Sequence, residues 1–228
     1  KGDVKGLAIS AVKNESGTFQ LLPFVWQTGG DMSNYSESGA TALAYLRGMI
    51  EDGSVSEAVV NYTQEDARTQ FITGKAAMMI NGPWELSTLT KDAEIEWDVA
   101  PLPKDKRAAT SMGGENVVVM NGAKQSEAAV KLAKYLTSAE GAKIYCDGSG
   151  QLSSRPDLQG KLKLSSDPKL KVFEDQLQYA HARAYGKDYP KISEAIQLSM
   201  QEALTGAATP EAAAKKAAET ITPLLPKN

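Results

Sequence analysis

The sequence of 228 residues holds one cysteine, Cys146, and one histidine, His181. That scarcity excludes a disulfide framework, a zinc cluster built from Cys and His, and any Ser-His-Asp triad that does not use His181. His181 follows the apolar ladder Leu170, Phe173, Leu177 and Ala180, which predicts the edge of a helix face rather than a catalytic centre. No apolar run approaches the roughly 18 residues that cross a bilayer, and no signal-peptide hydrophobic stretch stands at the start. Excess basic charge is also missing, with 25 Lys and Arg against 28 Asp and Glu. Without a basic cluster interleaved with aromatics, nucleic acid is not expected as a partner. No internal repeat or low-complexity tail is present. The chain opens on Lys1-Gly2-Asp3 with no initiator Met and enters a strand-like run at residues 7–12, so it reads as an internal start.

What is present can fill a core: 42% of the residues are hydrophobic, enough for one large domain or two small ones. The organising stretch is FITGKAAMMINGPW, residues 71–84. Phe71 and Ile72 close an amphipathic helix, Gly74 suits a left-handed C-cap, and residues 76–80 form a short apolar run suited to a sheet buried on both faces. Asn81-Gly82-Pro83 then turns the chain. Pro83 fits a first helical position, so Trp84 falls in the first turn, just past a strand end, where open α/β sheets bind ligands. The same position also suits a packing role.

Around this stretch the periodicity predicts a helix over residues 18–27, with Pro23 near its first turn, and another over 36–52 stopped by Gly53. Thr63 with Asp66 has the spacing of a capping box. Residues 96–103, EWDVAPLP, read as a strand stiffened by two prolines, and 117–120 as a β run after the glycines of SMGGEN. Ser126 opens a helix to about 137, with Val130, Ala133 and Leu136 or Tyr135 inward, and Ser138 opens the next. Asp167-Pro168 starts a helix running to about His181. Arg183, Tyr185 and Tyr189 crowd the loop AHARAYGKDYPKIS. Ile192, Ile196, Met200 and Ala203 form a core stripe, and Thr209-Pro210-Glu211 opens the last helix.

The order F-x-x-G-x-A-A-M-x-I-N-G-P-W, together with WQTGGD at 26–31, VAPLP at 99–103, the Gly113-Gly114 loop and QLSSRP at 151–156, resembles the extracellular solute-binding proteins of ABC sugar importers. That family contains maltose-binding protein. The likeness runs from about Leu7 to the C-terminus. It implies an α/β, type II periplasmic-binding-protein fold of two lobes with the sugar between them, of which this chain would be the C-terminal lobe plus a returning segment of the N-terminal one. Residues 1–98 and 151–228 would belong to the second lobe, and 99–150 would be a crossover and the returning segment. The apolar residues Val117, Val119, Val130 and Leu132 of that segment would then need cover, from a separate N-terminal piece or a second copy of the chain.

The resemblance also implies a site. Trp84 would stack on a sugar ring, Trp26 would lie in an element facing the cleft, and Asp31, Gln27, Asn81, Glu115 and Arg155 would bind hydroxyls. Gly113 and Gly114 would bring backbone close to the ligand, and Tyr185 would add an aromatic contact. Glu115 departs from the aromatic or small polar residue of many relatives. The implied function is non-catalytic binding of a mono- or oligosaccharide and its delivery to ABC permease subunits outside the cytoplasm, in the periplasm or on a lipid anchor. No cofactor or metal is expected. The rival reading is a carbohydrate-active enzyme with Asp31 and Glu115 as paired carboxylates. A structural fragment without retained affinity is a third reading, since half a cleft lacks the preorganised partners of the other half.

Overall fold

The computed structural model describes residues 4–183 and 185–226, so the Lys1-Gly2-Asp3 start lies outside it. Strand β1, Lys5–Ala8, leads through buried Ile9 and Ala11 into helix α1, Glu15–Gln27. Asn14 caps α1 by accepting from the Ser16 amide at 2.8 Å. Helices α2, Tyr35–Glu51, and α3, Gln64–Ile72, follow. In α3 the capping box forms as expected: Asp66 N donates to Thr63 Oγ1 at 3.2 Å, and Thr63 N donates to Asp66 Oδ2 at 2.9 Å. Gly74, at φ 69°, then turns the chain into β2, Ala76–Met79. Beyond β2 come a 3-10 turn, Pro83–Glu85, α4, Leu86–Asp92, and β3, Thr110–Met112. Next are α5, Ser126–Leu136, α6, Ala139–Ser149, and α7, Pro168–Gln176. The last elements are β4, Ala180–Ala182, α8, Tyr189–Leu204, and α9, Pro210–Ile221.

Two short parallel pairs, β1 with β2 and β3 with β4, carry the sheet structure among the described residues. The main core lies among α1, α2, α8 and α9, where Leu22, Trp26, Leu43, Ile192, Ile196 and Ala213 are fully buried. The stripe Ile192, Ile196, Met200 and Ala203 points into it as its spacing predicts.

Several local expectations are corrected. Helix α1 begins three residues before Thr18, which leaves Pro23 in its interior. Proline cannot donate to the carbonyl four residues back. That carbonyl, on Phe19, instead accepts from Ser111 Oγ at 2.7 Å, so a residue of β3 takes over the lost bond. Strand β2 is not buried on both faces, since Met78 is 59% exposed. Residues 96–103 join no strand pair; Ile95, Trp97 and Val99 are half-buried while Glu94, Glu96 and Asp98 are exposed, so the alternation is that of a strand without a ladder. The β run expected at 117–120 is irregular and exposed, and the strand lies instead at β3, where β4 supplies a partner. Helix α5 buries none of its residues. Helix α7 stops at Gln176, and His181 sits in β4 opposite Ser111.

Asp147 ties α6 to the following loop, with Oδ2 accepting from Lys143 Nζ at 2.7 Å and Oδ1 from the Lys163 amide at 2.6 Å. These hydrogen bonds, that from Lys143 foremost, hold its carboxyl below the usual carboxylate range. A carboxyl with its pKa depressed by folding contributes stability above its unfolded pKa and loses it as pH falls through the folded one. Acidification is therefore expected to release the Lys163 amide, and Asp147→Asn to remove that pH dependence. Hydrogen exchange checks this, and equal Lys163 protection at neutral pH and well below the carboxylate range contradicts it.

Candidate functional site

The turn after β2 is built to hold one indole. Asn81 Oδ1 accepts from Trp84 Nε1 at 3.0 Å and from the Gly82 amide at 3.0 Å, while Asn81 Nδ2 donates to the Gln64 carbonyl at 3.0 Å. All three bonds are internal, so Asn81 aims Trp84. Gly82 is required by the same arrangement: a Cβ there would lie 2.1 Å from the indole. Buried Glu85 anchors the turn from behind through Arg68, whose Nη1 donates to Glu85 Oε2 at 2.7 Å. A buried carboxylate needs such a partner to offset its desolvation. The C-cap of α6, Gly150 at φ 71°, approaches closely enough that a Cβ would lie 3.0 Å from the Pro83 carbonyl.

Trp84 stays half-exposed and meets Phe19 of α1 edge-on, with centroids 6.0 Å apart and planes at 62°. The Arg183 guanidinium lies over the other part of this aromatic pair, 4.7 Å from the Phe19 centroid. Gly113 closes the group, since a Cβ on it would stand 3.0 Å from Arg183 Nη2 and 3.1 Å from the Phe19 ring. Trp84, Asn81 and Gly113 are thus brought together, joined by Phe19 and Arg183. Neither is marked as a site residue in the sequence: Phe19 falls inside a helix, and Arg183 is singled out only by its place in an aromatic, basic loop.

A second cluster is scaffolding. Trp26 was expected to face a cleft but is 0% exposed, leaving no ring face for a ligand. It stacks on His181, with centroids 4.8 Å apart, and its Nε1 donates to Asp31 Oδ1 and Tyr185 Oη, both at 3.1 Å. Tyr185 in turn donates to Asp31. Burial, then the bond to Asp31, raises the Tyr185 pKa, so its hydroxyl stays protonated as a donor. Asp31 keeps a half-exposed position above this pair. Gln27 is also buried, and its Nε2 donates to the Ala109 carbonyl at 3.2 Å, which docks the approach to β3 on α1.

The remaining expected residues stand elsewhere. Arg155 is committed to Asp157, with Nε and Nη2 each donating at 3.0 Å, and to the Thr137 carbonyl at 2.9 Å. Its fork fastens the loop to the end of α5. Glu115 and Gly114 are exposed, and Glu115 adds, behind burial, to the upward shift of the Tyr145 pKa. No group of His, Cys, Asp and Glu suited to a metal occurs among the described residues.

Beside the aromatic pair opens an apolar groove of about 1110 Å³. Phe19, Asn81 and Gly82 lie at its border, the exposed face of β2 forms a wall, and Trp97, Val99 and Leu102 span it. Lys169 of α7 holds that span, with Nζ 5.0 Å from the Trp97 ring centroid.

The model of the bacterial extracellular solute-binding proteins matches residues 3–172. The chain belongs to that family. Its fold is part of the α/β type II binding-protein fold, as solved structures agree. A solute-binding protein of an ABC transporter from Thermotoga lettingae, bound with α-D-tagatose, superposes with a TM-score of 0.87 at 30% identity, covering 98% of this chain and 60% of that one. The maltose-bound MalE3 of T. maritima gives 0.84 at 28% identity, covering 97% and 61%. Among sequences, the galactooligosaccharide-binding protein of Bacillus subtilis is 25% identical over 185 residues, 77% of this chain and 41% of its own length. The maltooligosaccharide ABC transporter solute-binding lipoprotein of Streptococcus pneumoniae is 30% identical over 103 residues, 44% of this chain and 24% of its own length. The chain thus covers less than two thirds of each of these relatives, and less than half of the two sequence relatives. All four carry solute- or sugar-binding names or a bound sugar. No helix among the described residues is long and apolar enough to cross a membrane.

Gly82→Ala tests how Trp84 is seated. The methyl group should expel the indole from its place over the turn and shift its emission to longer wavelength, with Trp84→Phe as the spectral reference. An unchanged Trp84 contribution would show that the turn does not aim the ring.

Proposed function

We propose that this chain forms one wall of a carbohydrate-binding cleft and serves, without catalysis, in delivering saccharide to an ABC importer outside the cytoplasm. The observation that carries this reading is the half-exposed Trp84, fixed by Asn81 and Gly82 past the end of a parallel strand. Sugars offer apolar CH faces and hydroxyl rims. An indole covering one ring face buries on the order of 100 Å², contributing roughly 2 to 3 kcal/mol at about 25 cal/mol/Å². Asp31, held by Trp26 and Tyr185 just past the end of α1, supplies a fixed acceptor, and exposed Gly113 would bring its backbone to the ligand; exposed Glu115 would add an acceptor, while Arg155 stays committed to Asp157. The sugars in the relatives' names, maltooligosaccharide, galactooligosaccharide, maltose and tagatose, favour a neutral saccharide.

The lobe assignment follows the distribution of the core. The main cluster draws on residues before 81 and after 184, with Ala109 alone between them. We assign residues 1–98 and 151–228 to the second lobe and 99–150 to a segment that packs on the other lobe; the main core supports this up to residue 80 and from 185 onward, while the small cluster of Cys146, Leu158 and Leu162 spans the boundary at 150. Val117, 50% exposed, and Leu132, 57% exposed, lie in that segment. Another polypeptide, a further part of a longer form of this chain or a second copy, would cover them. Lobe closure around the sugar, the hinge motion of periplasmic binding proteins, then signals occupancy to the permease.

Calorimetry with maltotriose and galactotriose checks the site, using this chain and any longer polypeptide that carries it. Binding is expected, weaker for the chain alone, and Trp84→Ala should weaken it by more than about tenfold, as the loss of 2 to 3 kcal/mol requires. An affinity within twofold of the unsubstituted protein would remove Trp84 from the site. Sedimentation checks the covered face: association or a loosely packed monomer is expected, and a monomer of 24.3 kDa with sharp cooperative unfolding contradicts it.

A further inference from the structure

Arg183 is held more firmly than packing alone requires. Its Nη1 donates to Glu15 and, at 3.3 Å, to Tyr189 Oη. Glu15 is fixed in turn: Tyr189 donates to the same oxygen, and Ser193 Oγ donates to Oε2 at 2.6 Å. Gln197 Nε2 donates to Ser193 at 2.9 Å, and Thr18 Oγ1 lies 2.8 Å from the same hydroxyl. Burial, then the bond to Glu15, pushes the Tyr189 pKa up to about 12, so that hydroxyl stays a donor to the carboxylate. Two helices, α1 and α8, thus cooperate to orient one guanidinium.

Only the Nη1 side is consumed. Among the described residues Nε and Nη2 have no acceptor, although the side chain is only 17% exposed; Nε is enclosed, while Nη2 retains access to solvent. The guanidinium lies against the Phe19 ring, which meets Trp84 edge-on, and close to the Gly113 backbone. A rigid donor next to a stacking platform reads an acceptor atom on whatever lies against that platform. Its charge is balanced by Glu15, so an anionic ligand gains little there.

We propose that Arg183 is the specificity-determining donor of the Trp84 site, with Nη2 hydrogen-bonding a ring hydroxyl of an uncharged saccharide, and that its pairing with Glu15 makes the site discriminate against uronic acids. This rests on the carbohydrate reading of the site. Gly113 is part of the device, because any side chain there would cover the donor.

The test is calorimetry with a matched pair of probes, galactotriose and trigalacturonate, on the protein, Arg183→Gln, Gly113→Ala and Trp84→Ala, with thermal midpoints for each. The protein should prefer galactotriose, and Arg183→Gln and Gly113→Ala should each weaken galactotriose binding by roughly tenfold or more, the size of a lost hydrogen bond to a charged group. Gly113→Ala leaves the Glu15 cluster intact, so it decides the matter if Arg183→Gln lowers the thermal midpoint. Loss of affinity in Trp84→Ala with less than twofold change in both of the other variants overturns the Arg183 assignment alone. Equal or tighter binding of trigalacturonate overturns the neutral-ligand claim. Absence of any saccharide binding, or no effect of Trp84→Ala, defeats the carbohydrate reading and this inference with it.

Discussion

One buried amide holds the arrangement together. Gln20, in the second turn of α1, accepts from the Ser10 amide at 2.7 Å through Oε1 and donates to the Ile80 carbonyl at 3.0 Å through Nε2. It therefore clasps the continuations of β1 and β2 just beyond their last paired residues. A pair of four-residue parallel strands has few ladder bonds with which to fix its own ends. The clasp supplies what the ladder lacks, and Asn81, the next residue, inherits its position. Buried polar groups of this kind act strongly because an unpaired amide in the core costs about 1 to 3 kcal/mol.

The rest of α1 extends the same logic. Phe19 sits beside Gln20 and meets Trp84, Gln27 holds the Ala109 carbonyl, and the Phe19 carbonyl freed by Pro23 binds Ser111. Arg107 adds Nε to the Trp26 carbonyl at 2.6 Å and Nη2 to the Gly30 carbonyl at 2.9 Å. One helix thus positions the turn carrying Trp84, the strand before Gly113 and, through Glu15, the guanidinium of Arg183. Of the residues expected to touch ligand, Trp26, Asn81 and Tyr185 instead support the ones that face outward. Trp26 and Asn81 illustrate this: both are aimed at protein partners, and what they contribute is the orientation of Asp31 and Trp84.

What was legible in the sequence was local. The capping box of α3, the left-handed Gly74, the proline-led starts of α7 and α9 and the stripe on α8 depend on neighbours within a turn or two, and all appear as expected. Readings that failed depended on distant partners. Pro23 is tolerated mid-helix because Ser111, 92 residues away, takes its orphaned carbonyl. Trp26 is buried in the main core, stacked on His181 and with its indole N–H bonded to Tyr185, 159 residues away. His181 left its helical ladder because β3 offered a strand partner. Within the site, the Trp84 turn was readable from Asn-Gly-Pro-Trp, whereas Phe19 and Arg183 look like packing and loop charge until the fold stacks one on the other.

The proposal places saccharide on Trp84, with Arg183 Nη2 meeting a ring hydroxyl, rather than in the apolar groove lined by β2 and residues 95–105. A crystal structure with bound galactotriose tests it most directly. The account predicts a sugar ring in van der Waals contact with the Trp84 indole and a hydroxyl within hydrogen-bond distance of Arg183 Nη2. A sugar seated in the groove between β2 and Trp97, with Trp84 untouched, would contradict it.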